Sequence, residues 1–109
     1  MIQNDYALSY NVKNQAIDIL NRISTFNDLE HLDRFIDWFN RIIENRGRVM
    51  MADICDKTGK DPIDAFVWVG FNSPIKDANI HALTKLDGTM FYKIIFPVLK
   101  DFTQIGARR

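Results

Sequence analysis

At 109 residues the chain is long enough for one hydrophobic core and too short for two, and fourteen basic against fourteen acidic side chains leave no net formal charge. An apolar fraction of 47%, with two Trp, three Tyr and eight Phe, excludes a disordered tail. Residues 1–47 carry five basic and seven acidic groups and residues 48–109 nine and seven, an imbalance too slight to attract nucleic acid or an anionic membrane.

The first expected element is a helix over roughly Tyr6 to Ser24, capped by Asn4 or Asp5. Leu8, Val12, Ala16, Ile19, Leu20 and Ile23 recur at helical spacing and make one apolar face, with Asn and Asp residues opposite. Tyr6, Tyr10 and Ile17 form a shoulder beside that face. They either add packing or offer a contact surface, since Tyr is favoured at interfaces. Thr25-Phe26-Asn27 is a short connection and implies an antiparallel helical hairpin.

The second helix, Asn27 to Gly47, has both ends written in. Asn27 is the expected cap, with Glu30 reaching back to it and Phe26 closing over the first turn. Asp28, Glu30 and Asp33 sit at the positive end of the dipole, Arg41 and Arg46 toward the negative end. Gly47 is placed for a left-handed stop. Leu29, Leu32, Phe35, Ile36, Trp38, Phe39, Ile42 and Ile43 span an arc of roughly 180°. An ordinary surface helix needs only about 100°. Two neighbours are therefore expected: the first helix and a sheet.

Beyond Gly47, Arg48-Val49-Met50-Met51 is β-capable. Ala52 to Thr58 suits a short helix with Ala52, Ile54 and Cys55 inward, ended by Gly59. Asp61-Pro62 opens a turn or brief helix. Ala65 to Phe71 is apolar throughout, which requires burial or a sticky surface, and Asn72-Ser73-Pro74 breaks the run. Ile80 to Leu86 and Thr89 to Phe96 flank Asp87-Gly88, a strong hairpin turn. A two-residue loop pairs Leu83 with Tyr92, Lys85 with Met90 and His81 with Ile94, and sets these side chains and Phe96 on the core face. Pro97 ends the second strand. Phe102 and Ile105 are the last candidate anchors, after which the tail frays.

The expected fold is α+β, with one domain over 1–109: a helical hairpin (1–47) on a small antiparallel sheet of two or three strands, and one or two short helices between. Val49-Met50 is the expected third strand. The series Gly47-Arg48-Val49-Met50-Met51-Ala52-Asp53-Ile54, a short helix ending at Gly59, the pair Gly70-Phe71 and a hairpin closing at Pro97 resembles small uncharacterised accessory proteins of tailed phages and mobile elements. The resemblance covers about residues 47–97. It implies a phage or plasmid setting and carries no catalytic residues. At Phe71 the family more often has Trp.

Little in the chain points to chemistry. Cys55 could be matched with His31 or His81 as nucleophile and base, but its place on an apolar helix face suits a buried small hydrophobe. Asp53, Asp56, Asp61, Asp64 and Asp77 lack calcium-loop spacing and read as caps and turns, Asp53 above all. No zinc spacing or phosphate loop occurs, so no metal and no cofactor is implied. The lone Cys55 cannot close an internal disulfide, which makes a reducing cytoplasm the default compartment. No apolar run reaches the roughly 20 residues of a membrane span, and MIQNDY lacks the basic and apolar regions of a signal peptide.

The chain therefore reads as a non-enzymatic, protein-binding module of the cytoplasm. It would act by occluding a surface of a host or phage protein, or by pairing with a second copy of itself. The aromatic surplus picks out Tyr6, Tyr10, Phe35, Trp38, Phe66, Trp68 and Phe71 as the contact patch. The alternative is a nucleic-acid-binding regulator using Arg41, Arg46 and Arg48, with Lys93, around the end of the second helix.

Overall fold

A computed structural model describes residues 9–102 of the chain. The fold is α+β, with small antiparallel three-stranded sheets. Helix α1 runs Tyr10–Ile23 and starts later than expected, because the Ser9 hydroxyl accepts the Val12 N–H (3.3 Å) and caps the first turn there. The candidate caps Asn4 and Asp5 lie outside the described residues, as does Tyr6. Ala16 and Leu20 are buried, and Val12, Ile19 and Ile23 pack beside them.

The connection after α1 is itself a strand, β1 (Thr25–Phe26). Because β1 stays extended, the chain enters α2 (Leu29–Arg46) one residue later than expected, with Asp28 at the cap position. The capping box on Asn27 does not form. Asp28 bonds His31 Nδ1 (2.7 Å), Glu30 pairs with Arg34, and Asn27 Oδ1 accepts from Lys85 Nζ (3.3 Å). At the other end Gly47 takes φ 86° and donates its N–H to the Ile43 carbonyl (2.7 Å), the left-handed stop that its position demands.

Two sheets flank α2. In the first, the order is β1, β5 (Met90–Ile94), β4 (Ile80–Thr84). In the second it is β2 (Val49–Met50), β3 (Val69–Phe71), β6 (Lys100–Asp101). The expected third strand of the hairpin sheet is thus corrected. Val49-Met50 pairs with β3, and Thr25-Phe26 lies against Lys93-Tyr92 instead.

The hairpin register is corrected by one residue. Ile80 faces Ile94, Ala82 faces Tyr92 and Thr84 faces Met90. A two-residue turn of the expected kind needs positive φ at both central positions. Only Gly88 has it (φ 90°). The loop is therefore three residues, closed by Lys85 N–H to Thr89 O (2.7 Å) and Gly88 N–H to Lys85 O (3.0 Å). Asp87 stabilises this form by accepting from both the backbone and the hydroxyl of Thr89 (3.0 and 2.7 Å). The slip exchanges the faces of β4 alone: Ile80 turns toward the core and His81 and Leu83 away from it, while Tyr92 and Ile94 of β5 keep the core side expected of them.

Between β2 and β3 in the chain, α3 (Met51–Thr58) buries Met51, Ile54 and Cys55 and ends at Gly59 (φ 74°). Asp53 Oδ2 accepts the Met50 N–H (3.1 Å), so its role is the cap read from its position. Two short 3-10 turns, Asp64–Val67 and Asp77–Asn79, fill the region before the hairpin. The loop between them is held by Asn40 on α2. Its side-chain amide donates to Ile75 O (2.9 Å) and its oxygen accepts Ile75 N–H (2.7 Å).

The centre of the core is aromatic. Phe39, fully buried, lies 5.5 Å from the Phe71 ring, 6.0 Å from Phe96 and 6.2 Å from Phe35, and Phe35 reaches Phe26 at 5.7 Å. Phe102 closes the far end, buried under the Arg48 guanidinium (4.8 Å). Ile105, the other candidate anchor, lies outside the described residues.

One position in the second sheet admits no side chain. A Cβ on Gly70 would stand 2.1 Å from the Val49 carbonyl oxygen and 2.7 Å from Met50 Cα, both backbone atoms of the paired strand. Gly70→Ala is therefore expected to push β2 from β3 and to destabilise the fold by about 1–3 kcal/mol or more, read as a lower urea midpoint at unchanged slope. An unchanged midpoint would mean that β2 does not approach this closely.

Candidate partner-binding surface

The structure sorts the seven candidate contact residues into three groups. Phe35, Phe66 and Phe71 are buried (6%, 0% and 0% exposed) and belong to the core, so they leave the proposed patch. The reasons are local. The α2 arc points its centre, Leu32-Phe35-Phe39, inward and leaves Leu29 51% exposed. Strand β3 runs between β2 and β6 with all three residues buried. Phe66 is the inward residue of a short 3-10 turn whose neighbours Val67 and Trp68 face out. Tyr10 and Trp68 are exposed, and Trp38 is half-buried with the Lys57 ammonium 5.6 Å over its ring. Tyr6 lies outside the described residues.

The cationic candidates do not share one place. Arg41 and Arg46 line a depression beside Trp38 with Arg34, Lys57 and Asp37, and Arg46 also borders a second one with Lys57, Asp53 and Asp56. Arg41 is ion-paired to Asp37, a turn away on the same helix. Arg48 is spread over Phe102, and Lys93 lies in a different groove, against α1. The expected gathering around the end of α2 is corrected in its membership: Arg41 and Arg46 stay together, joined by Arg34 and Lys57, while Arg48 and Lys93 lie elsewhere.

That second groove is an extended apolar concavity. It is open, about 400 Å³ in volume, and runs between α1 and the segment after β5. Ile17 and Leu20 form one wall, and Ile95, Val98 and Leu99 the other. Ile17, Ile95 and Val98 are 41%, 48% and 74% exposed, so the groove continues into an apolar surface. Among the described residues, Lys13 and Lys93 are its only charged lining residues and no carboxylate lines it. Ile17 belongs to the α1 shoulder that the helical spacing picks out. The opposite wall is not among the candidates drawn from the sequence, although the sequence carries a signal for it. Ile94 to Leu99 is an unbroken apolar run with Pro97 inside it, which cannot alternate as a half-buried strand does.

The reactive groups are elsewhere. Cys55 is fully buried, and burial, helped by the nearby Asp61 charge, pushes its thiol above its ordinary value. His31 is exposed at the start of α2 beside Asp28, and His81 is exposed on β4. Among the described residues no group of His, Cys, Asp or Glu side chains is placed to hold a metal ion, and no helix is long and apolar enough to cross a membrane.

A scan of protein-family models, a search of curated proteins and a search of solved structures returned no match to this chain.

The burial of Cys55 has a direct readout. A thiol reagent such as DTNB should react with it on the timescale of unfolding at neutral pH, and at the rate of a free thiol in denaturant. Prompt reaction of the folded protein would place Cys55 at the surface.

Proposed function

We propose that this chain is a small non-enzymatic protein-binding module that holds a segment of another protein in the groove between α1 and Ile95–Leu99. The observation that carries this reading is the combination of apolar walls with a purely cationic margin, Lys13 and Lys93. That chemistry suits a partner segment with two or more apolar anchors and at least one carboxylate. Exposed Ile17, Ile95 and Val98 supply the desolvated contact, and the lysines orient the segment. The work done would be occlusion of that partner surface. The similarity of residues 47–97 to accessory proteins of tailed phages and mobile elements suggests the bacterial cytoplasm as its setting and a host or phage protein as the partner. A nucleic-acid-binding role draws less support, since Arg41 is ion-paired to Asp37 and Arg34 to Glu30, and Arg48 and Lys93 lie apart from them.

A ribosome-display library of random 12-residue peptides tests the reading while the partner is still unidentified. Enriched peptides are expected to combine aliphatic or aromatic anchors with Asp or Glu. Val98→Asp, at a position 74% exposed, should leave the fold intact and weaken those peptides about tenfold or more. Lys93→Glu should weaken them too, and added salt should mimic it. Failure to enrich any peptide, or enriched peptides that bind Val98→Asp equally well, would remove the groove as the binding site.

A further inference from the structure

The β4–β5 hairpin extends from the body as an arm whose outer strand is uncovered. In the order β1, β5, β4, strand β4 is an edge, and His81 to Thr84 are all exposed. Antiparallel pairing turns the backbone groups of alternate residues toward the neighbouring strand. Ile95 N–H donates to Asn79 O and Lys85 N–H to Thr89 O, so the odd-numbered residues of β4 face β5. The N–H and C=O of Ala82 and Thr84 therefore point outward, with the C=O of Ile80. The Ile80 N–H is already held by Asp77 O. Natural edges are usually blunted by proline, lysine or a bulge. Ile80–Thr84 has none of these, and its pairing with β5 is continuous.

We propose that β4 is the contact strand of a homodimer, pairing antiparallel with β4 of a second copy about a two-fold axis at Ala82. The pattern of free groups argues for a second copy as the occupant. About that axis the Ala82 N–H donates to the Ala82 C=O of the other copy, and the Thr84 N–H donates to the other copy's Ile80 C=O. Symmetry doubles each bond. The axis also overlaps the full five residues of both strands. Moving it to Leu83 would set Ile80 against Leu86, which lies in the turn. The side chains agree: small Ala82 meets itself, Ile80 meets Thr84, and His81 meets Leu83, which is 40% exposed in the monomer. No carboxylate, Lys or Arg side chain lies in the strand to oppose its own copy. The two hairpin sheets become one continuous sheet of six strands. A contact of one short strand falls in the small, transient class of interfaces, below about 1,200 Å². The dimer is accordingly weak and reversible, and it leaves the α1 groove open.

Sedimentation equilibrium up to about 1 mM, the range of weak transient contacts, reads the association directly. The wild type should show a concentration-dependent monomer–dimer equilibrium. Ala82→Lys and Ala82→Glu alter an exposed side chain and keep the intrachain ladder, so each should keep its circular dichroism and thermal midpoint. Each should also weaken the dimer about tenfold, because like charges then meet on the axis. An equimolar mixture of the two should recover it. A strict monomer throughout the range overturns the proposal, and so does a dimer that Ala82→Lys leaves unchanged or that only Val98→Asp removes. A mixture of folded Lys and Glu variants that stays monomeric overturns the Ala82 axis.

Discussion

The structure depends on one buried ring. Phe39 of α2 touches Phe71 from the second sheet and Phe96 from the segment leaving the first, and through Phe35 it reaches Phe26 on β1. Neither sheet could stand alone. Their strands run from two to five residues, and isolated sheets of that size are marginal in water. The ring contacts give both sheets a shared apolar face on α2, and each aromatic pair adds about 0.5–1.5 kcal/mol beyond its burial. The wide apolar arc of α2 follows from this arrangement, since one helix serves two sheets.

The same constraint decides what is left outside. Once Phe35, Phe39, Phe66 and Phe71 are committed to the core, the apolar side chains left exposed include Ile17, Ile95 and Val98 at the margin of the α1 groove and Leu83, Leu86 and Met90 on the hairpin arm, with Tyr10, Leu29, Val67 and Trp68 besides. The groove exists because Pro97 stops β5 from continuing, so Ile95 to Leu99 leaves the sheet and stands off from α1. The arm exists because β4 and β5 outrun the two-residue β1 and have no further strand to cover them. Both surfaces are thus by-products of how the small sheets terminate, and they carry different recognition chemistry, side chains in the groove and backbone in the arm.

Much of the fold is legible where local chemistry is specific. Gly47 and Gly59 stop their helices in left-handed geometry, and Asp53 caps α3, each for the reason its position suggests. The hairpin is visible in the sequence but its register is not, because Asp87-Gly88 serves a two-residue turn or a three-residue loop. The choice rests on the sign of φ at Asp87, which residue type leaves open. The two-residue strand Thr25-Phe26 is too short to carry a periodic signal, and the Asn40–Ile75 bonds join positions 35 apart in sequence. The candidate contact surface is the least legible part. An arc of roughly 180° does not say which of its residues lies at the centre of the core, so Phe35 and Trp38 look equivalent. Only the docking of both sheets on Leu32-Phe35-Phe39 separates them.

That one aromatic centre joins both sheets is the claim on which the rest stands, and native-state hydrogen exchange of Phe39→Leu tests it. A single cooperative body should lose protection by the same amount, about 1–3 kcal/mol, at the β2–β3 amides and at the β1–β5 and β4–β5 amides alike. Loss confined to one sheet, with the other keeping its wild-type protection, would contradict it.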